Sequence, residues 1–476
     1  TGTNNTLIGA NAGDKTTTGT NNTAIGLNSL TTNTTGGQNV AVGDNALAAN
    51  TTATYNTALG TSTLQLNTTG TRNVATGAFS LTANTTGDGN VAMGYQALKS
   101  NTTADNNTAI GDQALEFNTT GSENTAVGRL SLDANTTGGD NVAIGNSALG
   151  ANTTASNNTA VGSAALLANT TGAENVAVGA GALTANTTAS YNVAVGQGAG
   201  DAITTGNYNV AIGRSALTTL TTNAANTAVG GTALSANTAA NNTAVGYASL
   251  AANTTGTENV AVGALALDAC TTGTRNTAVG YIALSSIIGA NDNTAIGREA
   301  LRDNTANDNT AVGKEALKLN TSGTSNTAVG KHALNISTTA IDNTAVGKNA
   351  LDNCTTGSYN SAFGYLALDD STTGERNSAF GRSSLERVTT GVRNTAFGMD
   401  SGYLIVGGNY NTCLGYAAIP SSATASNQIV LGYATVGHGD NKFTFGQETG
   451  NSRVYNAFQS DASWTRVSDE RYKEEI

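Results

Sequence analysis

The chain has two histidines, His332 and His438, about a hundred residues apart. An imidazole can act as the base of a nucleophilic triad or as a zinc ligand. Separated so widely in a repetitive chain, these two support neither, and no metal or cofactor is expected. The acidic residues are scattered over variable positions such as Asp44, Asp112 and Glu123. They lack both the recurring spacing of a calcium-binding roll and the paired carboxylates of a glycan-cutting enzyme. "GQGAG" at 196–200 is glycine-rich but lacks the strand-to-helix setting of a phosphate loop. Cys270, Cys354 and Cys413 are the only cysteines. The first two are five repeat units apart, roughly 24 Å at ~4.8 Å per stacked strand, too far for a disulfide. Tyrosines recur in rows, Tyr95, Tyr247 and Tyr281 in one and Tyr55, Tyr191 and Tyr208 in another. Such rows can stack on sugars, although packing along a rim accounts for them more simply. A net charge of −11 argues against a phosphate-binding surface, and no apolar run is long enough to span a bilayer.

The elements that must hold these residues are copies of one unit. Residues 39–55 read "NVAVGDNALAANTTATY", and residue 56 begins "NTALGTSTLQLNTTGTR". Twenty-six glycines, from Gly9 and Gly26 to Gly415 and Gly432, mark the units. They fall seventeen residues apart, except for the sixteen-residue steps Gly230 to Gly246 and Gly297 to Gly313. A constant period of this length signals a solenoid. Only 11% of the residues are charged. Disorder is excluded by the aliphatic residues kept in register.

An aliphatic residue or Phe precedes the glycine almost everywhere, as in Val42 and Leu59, and leucine follows four residues after it, as in Leu47 and Leu64. Two such anchors with a glycine between them predict two short strands joined by a bend, "NVAVG" and "NALAAN", closed by a Thr-Thr loop. Both anchors are expected in the core, which should be wider or drier where the first becomes Phe363, Phe380 and Phe397. Alanine before the first anchor is expected on the opposite face, open to another backbone. The fold expected is an all-β parallel β-solenoid, or β-roll, of about 17 residues per coil over 1–432, with a β neck at 433–467. Twenty-six coils would extend about 120 Å. So thin a coil buries little surface alone, which favours association of several chains into a fibre.

Asparagine stands four residues before the glycine in every unit but the last, as in Asn22, Asn39, Asn56 and Asn73. A second column, seven residues after the glycine, runs through Asn33, Asn50 and Asn67 to Asn186. Stacked amides can bond to the copies above and below, so both columns are read as structural ladders. Many of these asparagines also form N-x-Thr sequons, which would accept glycans in a secreted eukaryotic protein. A chain rich in Asn and Thr produces sequons by composition alone. An ice-binding surface would want threonines two apart, whereas Thr34 and Thr35 are adjacent.

The "NVAVGxxAL" unit resembles the YadA-like head repeat of trimeric autotransporter adhesins and of phage and prophage tail fibres, over about residues 1–432. The resemblance implies a left-handed parallel β-roll in a homotrimer. At the other end, "SDERYKEEI" is similar to the opening of the auto-cleaving, endosialidase-type intramolecular chaperone domain. Ser468, Asp469, Arg471, Lys473 and Ile476 match its motif, with Tyr472 in place of Leu. That resemblance makes 468–476 the start of such a domain and places its self-cleavage junction between Ser468 and Asp469, with Ser468 and Lys473 as participants. A lysine of lowered pKa can take a proton from a hydroxyl nucleophile. The chaperone's remainder lies outside this sequence, so no catalysis is expected of the chain itself.

Taken together, these features point to the structural shaft of a trimeric virus or phage tail fibre in the virion. Its partners would be copies of itself and, through a tip outside this chain, a host-surface receptor of glycan type, with no nucleic acid and no membrane span. The alternative is a cell-surface trimeric adhesin or an extracellular, glycosylated filament.

Overall fold

The computed structural model of the chain describes residues 2–447, 452–458 and 465–467. They form two compact units, Thr1–Asn241 and Asn242–Ile476. The division falls in the first of the two sixteen-residue repeats. Each unit is a parallel β-solenoid, about 26 turns in all with ~17 residues per coil and no helix among the described residues. The first unit carries fourteen three-residue strands, Thr6–Ile8 to Thr227–Val229, and the second twelve, Thr243–Val245 to Ile429–Leu431.

Each coil stacks like on like. Val40 pairs with Thr57, Ala41 with Ala58 and Val42 with Leu59, all parallel. The second sixteen-residue repeat keeps this register, with Thr294 opposite Thr310, because its deletion falls in the loop. Asn304 donates to the carbonyl of Ala306, two residues on, whereas Asn320 reaches Gly323, three residues on.

The strand exposes the face expected to be buried. Ala24, Ala41 and Ala58 are wholly buried, whereas Val42 is half-buried and Leu59 is 38% exposed. Val42, Leu59, Phe363, Phe380 and Phe397 therefore point out of the coil, not into it. The reason is steric: where a buried leucine such as Leu47 fills the thin coil from the turn ribbon, the inward position of the strand has room only for a small residue such as Ala41. The phenylalanines stack along the outside, with 4.9 Å between the rings of Phe363 and Phe380 and 5.7 Å between those of Phe380 and Phe397.

The expected second strand, "NALAAN", is instead a ribbon of turns. Its N–H groups alternate in direction. Asn45 donates to Leu27 of the preceding coil, and Leu47 and Ala49 to Thr63 and Gln65 of the following one. Ala46, Ala48 and Asn50 donate three residues back within their own coil. This alternation needs left-handed residues, and Asn45 (φ 57°) and Leu47 (φ 50°) supply them. A left-handed leucine is costly in isolation. Complete burial of Leu47 and Leu64, at about 2–3 kcal/mol per side chain, offsets that cost in each coil.

Two coils confirm the coupling from the other direction. Gly200 and Gly402 take the leucine position with φ of 59° and 66°, and Ile203 and Ile405, three residues later, are wholly buried in its stead. The glycine that marks every unit is required for both conformation and space. Gly43 has φ 138°, and a Cβ there would run into the carbonyl of Gly60.

After Ile429–Leu431 the second unit changes pattern. Lys442–Gln447 still pairs parallel to it, Ile429 opposite Phe443. The next pairings are antiparallel, Phe443 opposite Asn456 and Tyr455 opposite Thr465.

Candidate functional site

The first asparagine column is hydrogen-bonded through each unit, and the second is so from Asn33 to Asn186. In the first, Asn39 Nδ2 donates to Asn22 Oδ1 at 3.2 Å and to the loop carbonyl of Ala53 at 2.9 Å. The backbone N–H of Asn39 also donates to Asn22 Oδ1, at 3.0 Å. Asn56 and Asn73 repeat this backbone bond one coil on. In the second column, Asn50 donates to Asn33 Oδ1 at 2.9 Å and Asn67 to Asn50 Oδ1 at 3.2 Å. Each also reaches the carbonyl three residues on, Ala53 or Gly70. Every amide points the same way, so a column must end on an unanswered acceptor. Asn186 Oδ1 is buried without a hydrogen bond because the next coil has Ile203 at that position.

Threonine hydroxyls form a third ladder, with Thr34 Oγ1 donating to the carbonyl of Thr51 and Thr51 to that of Thr68, at 3.0 and 3.1 Å. The Asn and Thr rows thus spend their polar groups on neighbouring coils.

The strands' outer face differs in kind. Its two positions per coil hold only Thr, Val, Ser, Ile, Leu, Met or Phe in all 26 units. Met93, Ile110, Ile144, Val178, Val195 and Ile212 in the first unit are each at least 36% exposed, as are Phe363, Phe397, Leu414 and Leu431 in the second. No charge interrupts either face, although the chain carries 21 basic and 32 acidic residues. An uncharged face of this kind, with exposed aliphatic or aromatic side chains in nearly every coil, marks an interaction surface. The sequence pattern held a signal for it: in "VAV" the middle residue is the smallest, which suits the inside of a narrow coil.

Charge gathers on the turn ribbon of the second unit. Lys318 Nζ lies 2.8 Å from Glu299 and 3.6 Å from Glu315, and Arg298 lies 3.0 Å from Glu299 and 3.3 Å from Glu315. Desolvation works to raise the Glu315 carboxyl. The hydrogen bond from Lys314 and the charges of Lys318, Lys314 and His332 outweigh it and hold the carboxyl at about 2. His332 Nε2 is 3.4 Å from Glu315, so this histidine belongs to the charge cluster. His438 stacks on Tyr455 with 3.8 Å between ring centroids, and burial, then Lys442 and Arg453, lowers its pKa.

Farther along the ribbon the charges oppose one another. Burial first, then Asp352, Asp370 and Glu386, pushes the Asp369 carboxyl up to about 7. The cysteines are free and buried. Burial pushes the Cys270 thiol up to about 11 and those of Cys354 and Cys413 up to about 12, which disfavours the reactive thiolate. Cys354 Sγ takes the place of an asparagine by facing the Gly357 carbonyl at 3.2 Å.

Tyr191 and Tyr208 stack at 5.0 Å on the rim, and Tyr55 is exposed. Among the described residues no three His, Cys, Asp or Glu side chains are grouped to hold a metal, and no helix is long and apolar enough to cross a membrane. Ser468, Asp469 and Lys473, the expected self-cleavage residues, lie outside the described residues. Comparison with known protein families and with curated proteins finds no match to this chain.

Proposed function

We propose that the chain is the structural shaft of a trimeric tail fibre of a virus or phage, carrying a host-binding tip that lies outside this sequence. The observation that carries the reading is the uncharged strand face, repeated coil after coil in both units. Any partner that covers it must present apolar groups at the same spacing as stacked strands, ~4.8 Å. A second copy of the chain meets that condition by construction, and three copies can close their faces around one axis. The number three comes from the likeness of "NVAVGxxAL" to the head repeat of trimeric fibres. The assignment to a virion rests on "SDERYKEEI" and its likeness to the chaperone that trimerises such fibres.

The ladders support a mechanical role. Their side chains are engaged along the stack, so each coil is fixed by its neighbours, and stability accumulates from nearest-neighbour contacts. Negative-stain electron microscopy of the purified chain tests the reading. Unbranched fibres of one uniform width are expected; compact single-chain particles would overturn it.

A further inference from the structure

We infer that a groove on the turn ribbon of the second unit, between the coils of Gly364, Gly381 and Gly398, is a binding site for a neutral saccharide. It is an open groove of about 380 Å³ lined by Leu366, Arg382, Ser383, Glu386, Asp400 and Tyr403, within the size range of small-ligand sites. The repeat brings these residues together. Leu366, Ser383 and Asp400 are each the second residue after their unit's glycine, and Glu386 and Tyr403 each the fifth. Stacking sets equivalent positions side by side.

Two features mark this groove. The first is its aromatic. No other unit has an aromatic residue five places after the glycine. Tyr403 follows Gly402, in a coil whose core is refilled by Ile405; the residue is 40% exposed, with the Arg387 guanidinium 5.6 Å over one face of its ring. The second is the state of its polar groups. In the cluster around Glu299 and Glu315 the charges are paired with one another. Arg382, Glu386 and Asp400 converge on one groove, yet among the described residues their side chains form no ion pair and no hydrogen bond with protein groups. Donors and acceptors held together but unspent are what a polar ligand uses.

The chemistry selects the ligand class. The Tyr403 ring and Leu366 offer an apolar surface to the C–H face of a pyranose. Glu386 and Asp400 can each accept from hydroxyls, Arg382 can donate to them, and Ser383 can do either. Glu386 and Asp400, with Asp369 beside Glu386, against the guanidiniums of Arg382 and Arg387 leave no net positive charge to draw an anionic sugar or a phosphate. A basic peptide would answer the carboxylates but leave the donors of Arg382 unused. The groove uses no residue of the strand face, so its occupation is independent of the fibre reading and can be measured on the same sample.

Saturation-transfer NMR on the full chain, with lactose, maltose and mannobiose as neutral probes and sialyllactose and tetralysine as charged ones, tests the assignment. Transfer to at least one neutral disaccharide is expected, with an affinity at least tenfold weaker in Tyr403→Ala and in the isosteric Asp400→Asn and Glu386→Gln. Tyr359→Ala, an exposed tyrosine away from the groove, should bind as the parent does. Unchanged β-sheet circular dichroism and melting identify variants that remain folded. No transfer to any neutral sugar, equal binding in the folded groove variants, or binding of sialyllactose or tetralysine alone would overturn the proposal.

Discussion

The two asparagine columns use the same residue at the same spacing, yet the chain treats them differently. The column before the strand is asparagine in every unit until Gln428. The column that closes the turn ribbon is unbroken from Asn33 to Asn186 and is then replaced by Ile203, Cys270, Ser337 and Val388 in different coils. Both columns stack side-chain amides, so stacking cannot explain the difference. What separates them is the backbone. A first-column carboxamide oxygen accepts the main-chain N–H of the next coil, as Asn124 Oδ1 does from Asn141 at 3.1 Å. In the unbroken run from Asn33, a second-column oxygen instead accepts a side-chain amide, as Asn118 Oδ1 does from Asn135 at 2.9 Å; in the sixteen-residue coils Asn237 and Asn304 do accept a main-chain N–H, but that of their own coil.

Carbonyl groups make the same point. The Gly121 carbonyl accepts from both Asn107 and Asn118, at 3.0 and 2.8 Å. Loss of the second-column residue therefore leaves that carbonyl satisfied. Loss of a first-column residue leaves a buried N–H with no acceptor.

The sharpest way to break this comparison is Asn124→Ala. It removes two donated and two accepted hydrogen bonds and orphans the Asn141 N–H. The expected cost is about 2–3 kcal/mol, the upper range for an unsatisfied buried group, read by denaturant unfolding. Asn118→Cys copies a substitution the chain makes at Cys270; it strands only the side-chain oxygen of Asn101, as happens at Asn186, and should cost about 1 kcal/mol, the lower end of that range. Equal costs for the two variants would show that the backbone bond is not what separates the columns.

A column of carboxylates sharpens the contrast from the opposite side. Asp352, Asp369 and Glu386 occupy one position in successive coils, where stacked like charges repel. Asp369 has its pKa raised in the folded chain to about 7 from an ordinary 3.8. Its contribution to stability is thus fully present below its unfolded value and is lost progressively as the pH rises from there to about 7. Asp369→Asn should raise the Tm at pH 8 by less than Asn118→Cys lowers it, and should leave the Tm at pH 3.5 unchanged. Thermal melts at the two pH values check the sign.

The smallest effect belongs to the cysteines that interrupt the second column. Cys354→Asn should change stability by no more than about 0.5 kcal/mol. In the folded parent, Cys270 and Cys354 should resist alkylation at pH 8 until denaturant is added.

Much of the architecture was legible in the sequence because it depends on period. The 17-residue spacing gave the coil, and the columns gave the ladders through Asn39 and Asn50. Which way the strand faces was not legible from Val42 and Leu59. Alternation places Val42 and Ala41 on opposite sides, but only the width of the coil decides which is inside. The pattern places Leu47 in the core, where it lies, but also in a strand, where it does not, because left-handed leucine runs against its own conformational preference and is held there by neighbouring coils. The groove at Tyr403 was missed for a related reason: its residues are unremarkable one by one and meet only because stacking aligns successive units.

The central claim is that the uncharged strand face is covered by copies of the same chain. Sedimentation equilibrium of the parent and of a Val178→Glu, Val195→Glu, Ile212→Glu variant tests it most directly, since these side chains point outward and a carboxylate there need not disturb the coil. The parent is predicted to sediment at three times the chain mass, and the variant at a lower mass with its β-sheet circular dichroism intact. A parent that remains at the mass of one chain across all concentrations, or a folded variant that associates as the parent does, would contradict the claim.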